Sequence, residues 1–493
     1  MSNKTSTFFK GMSVQTLITI VMGVLEIVVF AIMSRLLSKS DFGYFAALMG
    51  MVAVFQSLSE AGLGSAIVQK KGDNTKHVST AFTLSCLLGL IGTCVVFVLA
   101  PLLATLIADD TLTLPLRIMS FTIFLNALIS VGNAQLYKSL KFKKVGIIQS
   151  ISYLLSSGIG IIMAFNGCGL LSIVTYTVLN SLFIFLILYL TTVKVPKIGM
   201  YKSETKGIVS FGGWLTMGVI LNNLTQQLDK LLMSKWLSVE ALGAYNRPAG
   251  FTNTISTKIN GIFDTVLFPM LSELQDNKDA VIRTFYKAVG LLDSFSIVLA
   301  SIFFFHAELI IQIFFGQQWL ELVPIMRVVS ISIVFNINGR LVDCFFRSLN
   351  FVKTGFYLRM LGVFVTFLAL YVGSKFNVMG VAIGLVMANV IMILVKMTTL
   401  CLKINGGLIS MFTYWVKAWK PILLLSSIGT VYIAIIPNHG FIVNIIFAVI
   451  YAIIMAIEFV FYPRLVSDEY VATVYPMVMK LYTKFRKNSI IFD

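Results

Sequence analysis

Apolar residues run through this chain in blocks of about twenty, broken by short polar stretches, and the pattern predicts a series of membrane-crossing helices. The blocks cover roughly 12–34, 43–67, 79–106, 115–136, 145–165 and 169–192, then 208–233, 241–270, 284–305, 324–345, 354–374 and 379–402, and finally 413–436 and 440–462. A helix of about 20 apolar residues spans the hydrocarbon core of a bilayer. A membrane barrel would instead need short segments of alternating polarity, which are absent. The weakest division is at Ala164–Gly169, where only Asn166 and the run from Gly167 to Gly169 interrupt the apolar sequence.

The blocks repeat. Met33 to Tyr44 and Phe45 read MSRLLSKSDFGYF, and Met233 to Tyr245 read MSKWLSVEALGAY. Aligned without a gap they share Met33, Ser34, Leu37, Ser38 and Gly43, with Lys235 for Arg35, Leu242 for Phe42 and Tyr245 for Phe45. A second echo sets LYKSLKFKK at Leu136–Lys144 against FFRSLNFVK at Phe345–Lys353. Two echoes at nearly the same separation mark a duplicated architecture. The expected fold is therefore all-α and polytopic, with about 14 transmembrane helices: an N-terminal lobe (1–193), a basic linker (194–207), a C-terminal lobe (208–403), two further helices (404–462) and a tail (463–493).

Charge sets the expected orientation. Lys4 and Lys10, Lys70, Lys71 and Lys76, Lys138 to Lys144, the linker, Arg347 to Arg359 and the basic tail fall on one set of loops; the opposite loops carry little beyond Arg35, Lys39, Lys235, Arg247 and Lys375. Basic loops stay cytoplasmic, so both termini are placed in the cytoplasm and the duplicated halves insert in the same sense. Parallel repeats of this kind put a substrate path between them. In the tail, Val471, Val474, Val478, Leu481, Tyr482 and Phe485 recur at helical spacing among Lys480, Lys484, Arg486 and Lys487, the pattern of a helix lying on an anionic leaflet.

Composition removes several classes. With 58% apolar and 12% charged residues and a mean hydropathy of +0.91, the chain is unlike a soluble domain. The net charge of +17 is distributed as topology demands, so no nucleic-acid partner is expected. Five scattered cysteines, with no CxxC or Cys/His cluster, support neither a disulfide framework nor a metal site. The first apolar block lacks a small-residue cleavage site and reads as an uncleaved span. No catalytic motif is present, and the longest outer loop, about 306–323, is too short to house a polymerase or transferase centre. The chain is not expected to be an enzyme or to hold a cofactor.

The residues that invite a function are ionisable groups inside apolar blocks, each costing roughly 2.5–3.5 kcal/mol at a helix centre. Arg247, Gly250, Thr254, Lys258 and Gly261 fall on one helical stripe. At 1.5 Å per residue, Arg247 and Lys258 are about 16 Å apart. A small, polar, cationic stripe is expected to line a wet cavity. Asn222, Gln226, Asp229 and Lys230 enrich the seventh block, and Arg340 the tenth, where it could pair locally with Asp343. Glu26, Glu60, Asp264 and Asp293 are deep carboxylates and candidates for H+ or Na+ coupling, with Glu26 favoured as the most central.

The stretch DKLLMSKWLSVEALGAYNRPAGF (Asp229–Phe251), with MSRLLSKSDFGYFAAL and SEAGLGSAIVQK in the first half, resembles Wzx-type polysaccharide flippases, in particular the colanic- and teichuronic-acid exporter branch of the multidrug/oligosaccharidyl-lipid/polysaccharide superfamily. The resemblance implies two six-helix lobes and translocation of a polyprenyl-diphosphate-linked oligosaccharide across the bacterial inner membrane by alternating access. It also implies a monomer working alongside membrane lipids and the polysaccharide polymerase machinery. The cationic residues would meet the diphosphate and the amide side chains the sugars. A peptidoglycan-precursor (lipid II) flippase shares this plan. A drug or cation antiporter of the same superfamily would want an acidic cavity, against which Arg247 and Lys258 count.

Overall fold

The structure, a computed structural model, describes residues 21–60, 63–69, 75–105, 109–139, 141–193, 195–201, 204–205, 227–274, 277–419, 429 and 441–461. Among the described residues there is no strand. In chain order the helices are α1 (21–36), α2 (Lys39–Glu60), α3 (Leu63–Gln69), α4 (Thr75–Thr105), α5 (Thr113–Lys138), α6 (Phe142–Phe165) and α7 (Leu170–Ile187). There follow α8 (227–236), α9 (Val239–Leu274), α10 (Lys278–Phe305), α11 (Ala307–Phe314), α12 (Val323–Ser348), α13 (Val352–Ser374), α14 (Asn377–Lys403), α15 (Leu408–Ala418) and α16 (Phe441–Phe461). Nine described helices are long and apolar enough to cross a membrane. The protein is thus a multi-pass helical membrane protein. Much of the expected spans at 208–233 and 413–436, and the whole tail at 463–493, lie outside the described residues.

Local chemistry fixes where the helices stop. After α12 and α14 the chain turns on Asn350 (φ 60) and Asn405 (φ 58), left-handed positions that asparagine tolerates better than most residues. The next residue closes each turn, with Phe351 N–H donating to the Phe346 carbonyl (2.8 Å) and Gly406 N–H to that of Cys401 (2.8 Å), the six-to-one bond of a Schellman end. Gly167 (φ 76) does the same after α6, where Cys168 N–H donates to Met163 (3.1 Å). That glycine makes the weakest division in the apolar pattern a true hairpin.

Two compact units result, one of residues 1–247 with 359–378, the other of 248–358 with 379–493. In the first, α4 packs along α5, α6 along α7, and α2 against both α4 and α5. Its core holds Ile67, Ala81, Val131 and Leu188, each fully buried. In the second, α10 packs on α12 and α15, and α11 on α16. The expected loop at 306–323 is a built element: α11, then a 3-10 turn at Gln317–Leu322, with Phe315 and Trp319 fully buried. Its apolar run is too short to read as a span, and α11 packs on α10, α12 and α16.

Candidate functional site

The repeated stretch explains itself residue by residue. In the first copy Ser38 caps α2: its Oγ accepts from Asp41 N–H (3.1 Å) and donates to the Asp41 carboxylate (2.6 Å), which also accepts from Ser38 N–H (2.9 Å). That reciprocal pair is a capping box with aspartate in the acidic position. In the second copy Ser238 caps α9, its Oγ accepting from Ala241 N–H (3.1 Å). The shared Met33 and Met233 carbonyls each accept from the N–H four residues on, at Leu37 and Leu237, 3.0 Å in both.

The shared glycines have a tertiary purpose. A Cβ on Gly43 would collide with the Val239 carbonyl oxygen, and one on Gly243 with that of Lys39. Positions 39 and 239 are themselves repeat equivalents. The two copies therefore cross as an exchange pair, 39 with 243 and 239 with 43, inside the first unit. Further along, Gly50 lets α2 lie against Leu231 and Lys230 of α8.

One helical turn past Gly243, Arg247 closes the crossing. It is 7% exposed. Its Nη2 donates to Ser34 Oγ (2.6 Å), and its guanidinium carbon lies 3.1 Å from the Phe42 ring centroid and 4.0 Å from that of Phe30. Ser34 Oγ in turn donates to the Phe30 carbonyl (2.7 Å). Stacking on aromatic faces is how a weakly hydrated guanidinium tolerates burial. Its Nε has no hydrogen-bond partner among the described residues. The repeat equivalent is Ala47, fully buried, so the cation belongs to one copy alone. No local spacing pointed from Arg247 to Ser34, Phe30 or Phe42, which lie more than two hundred residues away.

The other expected residues divide among several places. Lys230 Nζ donates to Gln227 Oε1 (2.8 Å), and Lys230 N–H to Asp229 Oδ1 (2.8 Å). Glu60 accepts from Gln56 Nε2 (2.9 Å), one turn away on α2. Glu26 is half-buried on α1. In the second unit, Thr254 is exposed and bonded back to the Gly250 carbonyl (2.8 Å), and a Cβ on Gly250 would meet nothing within 4 Å. Lys258 and Arg340 are half-buried. Asn222 and Gln226, and the side chain of Asp264, lie outside the described residues.

Two carboxylates have partners that local spacing did not show. Asp293 of α10 is fully buried and accepts from Asn338 Nδ2 of α12 (2.6 Å). Asp343 pairs with Lys396 of α14 (3.0 Å), which corrects the expected local pair with Arg340. A lysine from another helix reaches the carboxylate where the residue one turn back does not. Both partners sit about fifty residues along the chain, beyond any helical period.

Repeated apolar helices and a self-crossing of duplicated caps are the marks of a duplicated multi-pass membrane protein. The chain belongs to the polysaccharide biosynthesis protein family, whose profile matches residues 32–324, more than half of its length. It is 22% identical over 428 residues to the lipopolysaccharide biosynthesis protein WzxC of Escherichia coli K12, covering 86% of each chain. Against the teichuronic acid biosynthesis protein TuaB of Bacillus subtilis it is 23% identical over 345 residues, 69% of this chain and 71% of that one. Its fold is similar to that of the lipid II flippase MurJ in an inward closed conformation, with a TM-score of 0.70 at 15% identity over 90% of this chain and 98% of that one.

Proposed function

We propose that the protein moves polyprenyl-diphosphate-linked oligosaccharide units from the cytoplasmic to the outer leaflet for cell-surface polysaccharide assembly, working by alternating access. The observation that carries this reading is the family match across 32–324, supported by relatives named for surface polysaccharides along most of their length. The relatives are transport and biosynthesis proteins, and the chain acts as a carrier rather than an enzyme. Both termini lie in the cytoplasm, and the duplicated halves form the two lobes between which the substrate passes.

In this reading Lys258, Lys230 and Arg340 meet the diphosphate in succession, and Thr254, Asn222 and Gln226 offer hydrogen bonds to the sugars. One charge pair at 4 Å is worth about 4 kcal/mol at an effective dielectric near 20, before desolvation is subtracted. Arg247 is held by Ser34, Phe30 and Phe42 while the duplicated caps are crossed, and a passing diphosphate is the kind of anion that would draw it out. Glu26, Glu60, Asp264 and Asp293 are the candidates for ion coupling.

The test is substitution with the substrate followed at both ends. In an Arg247→Gln, Lys258→Gln double variant of unchanged abundance, surface polymer should fall at least tenfold while the lipid-linked precursor accumulates on the cytoplasmic side. Normal export would remove both residues from the path. The likeness in fold to the lipid II flippase MurJ favours a second reading, transport of a peptidoglycan precursor. The chemical structure of the accumulated glycan separates the two.

A further inference from the structure

The segment after α7 is pinned to the side of α4 at five points. Val193 is buried in the core of the first unit. Gly199 N–H donates to Thr83 Oγ1 (2.9 Å), and that hydroxyl lies 3.2 Å from the Gly199 carbonyl. Tyr201 N–H donates to Thr80 Oγ1 (3.3 Å), and Lys76 Nζ lies 5.5 Å from the Tyr201 ring centroid. Glu204 then meets His77 Nδ1 at 2.7 Å, with the histidine 6% exposed. Side chains of α4 thus bond backbone groups of Gly199 and Tyr201 that would otherwise be left to water.

Held in this way, the segment turns its apolar side chains outward. Ile198 is 81% exposed, Val195 62% and Met200 52%, and Lys197 is exposed beside them. Thr83 lies eight residues into α4, about 12 Å from its start at 1.5 Å per residue, where the sequence has already become apolar (AFTLSCLLGL from Ala81). Gly199 bonds to α4 at that depth. Three aliphatic side chains displayed there, with a lysine between them, have the composition of a membrane-interface insertion.

We propose that residues 195–201 are a membrane strap: latched to α4 through Thr80, Thr83 and the His77–Glu204 pair, they set Val195, Ile198 and Met200 into the acyl boundary of the inner leaflet and Lys197 among its anionic phosphates. The inner-leaflet assignment rests on the cytoplasmic orientation argued above; the insertion itself does not. Such a strap ties the first unit to the bilayer at the point where the chain leaves it.

The experiment places a single cysteine at Ile198 in a background without Cys86, Cys94, Cys168, Cys344 and Cys401. A nitrobenzoxadiazole probe on it is read in full-length protein reconstituted in phosphatidylglycerol/phosphatidylcholine vesicles. Lipid spin-labelled high on the acyl chain should quench the probe at least twofold more than aqueous iodide. Thr83→Val with Glu204→Ala, at unchanged thermal stability, should reverse that preference. Lys197→Gln should weaken lipid quenching in the anionic vesicles and leave it unchanged in pure phosphatidylcholine. Iodide quenching that exceeds lipid quenching in the parent overturns the insertion, and lipid quenching untouched by the unlatching pair overturns the latch. An equal effect of Lys197→Gln in both lipids overturns the phosphate contact. Lipid quenching with labelling of the cysteine only from the outer side keeps the strap and overturns the topology, moving it to the other leaflet.

Discussion

At Gly43 and Gly243 a hydrogen in place of a methyl group decides whether two helices can cross. The obstacle to a side chain at either position is a carbonyl oxygen of the opposite copy, and backbone cannot rotate out of the way as a side chain can. Gly43→Ala should cost about 1–3 kcal/mol, the usual penalty of overpacking, even though alanine is the better helix former. Gly250 is the control on the same kind of helix: a Cβ there meets nothing within 4 Å, so Gly250→Ala should be neutral or gain about 0.5–1 kcal/mol. Thermal unfolding in detergent, followed by the reactivity of buried Cys344 and Cys401, measures both. Equal shifts for the two variants would show that the crossing is not tight. Arg247 adds its own term, because its charge is accommodated by two ring faces and one hydroxyl that vanish if the copies part.

Among the elements, α11 carries a pH-dependent contribution to its stability. His306 sits at its start, 6% exposed, with the Phe447 and Tyr451 rings of α16 each 5.0 Å away. Burial pushes its pKa down to about 4 from an ordinary 6.5, so the native state holds it neutral. Between those two values the unfolded chain binds more protons, and stability must rise with pH across that window. The contribution is complete above pH 6.5 and is lost as the pH falls, by about 2 kcal/mol at pH 5 given about 1.4 kcal/mol per unit. His306→Phe should flatten this part of the stability-versus-pH curve; a slope unchanged between pH 4 and 6.5 would assign it elsewhere. Tyr451, whose hydroxyl donates to Ser301 Oγ (3.0 Å), ties the same helix to α10.

For the whole molecule the expectation concerns sidedness. Basic residues gather on alternate connections, and the duplicated halves are separated by an even number of expected spans, so a cysteine at Asp110 or Asn438 should react with an impermeant thiol reagent from outside. Cysteines at Lys141 or Lys202 should react only after permeabilisation. Opposite labelling at two or more of these positions would remove the parallel arrangement of the halves and, with it, alternating access between them.

The sequence by itself determined the class. Twenty-residue apolar blocks can only be helices in a bilayer, and the duplicated caps stood out because Ser38 and Ser238 act through local capping rules that leave a fixed spacing. It also marked which charges were out of place. Partnership was decided by tertiary structure alone. Asp343 looked to Arg340 along its own helix and was met by Lys396 from another; Asp293 was met by Asn338, and Arg247 by Ser34 and two phenylalanines. The physical reason is range. A helical period reports neighbours three or four residues away, whereas a buried charge is satisfied by whichever dipole, ring or opposite charge the packing brings within about 3–4 Å, and that distance is set by the fold.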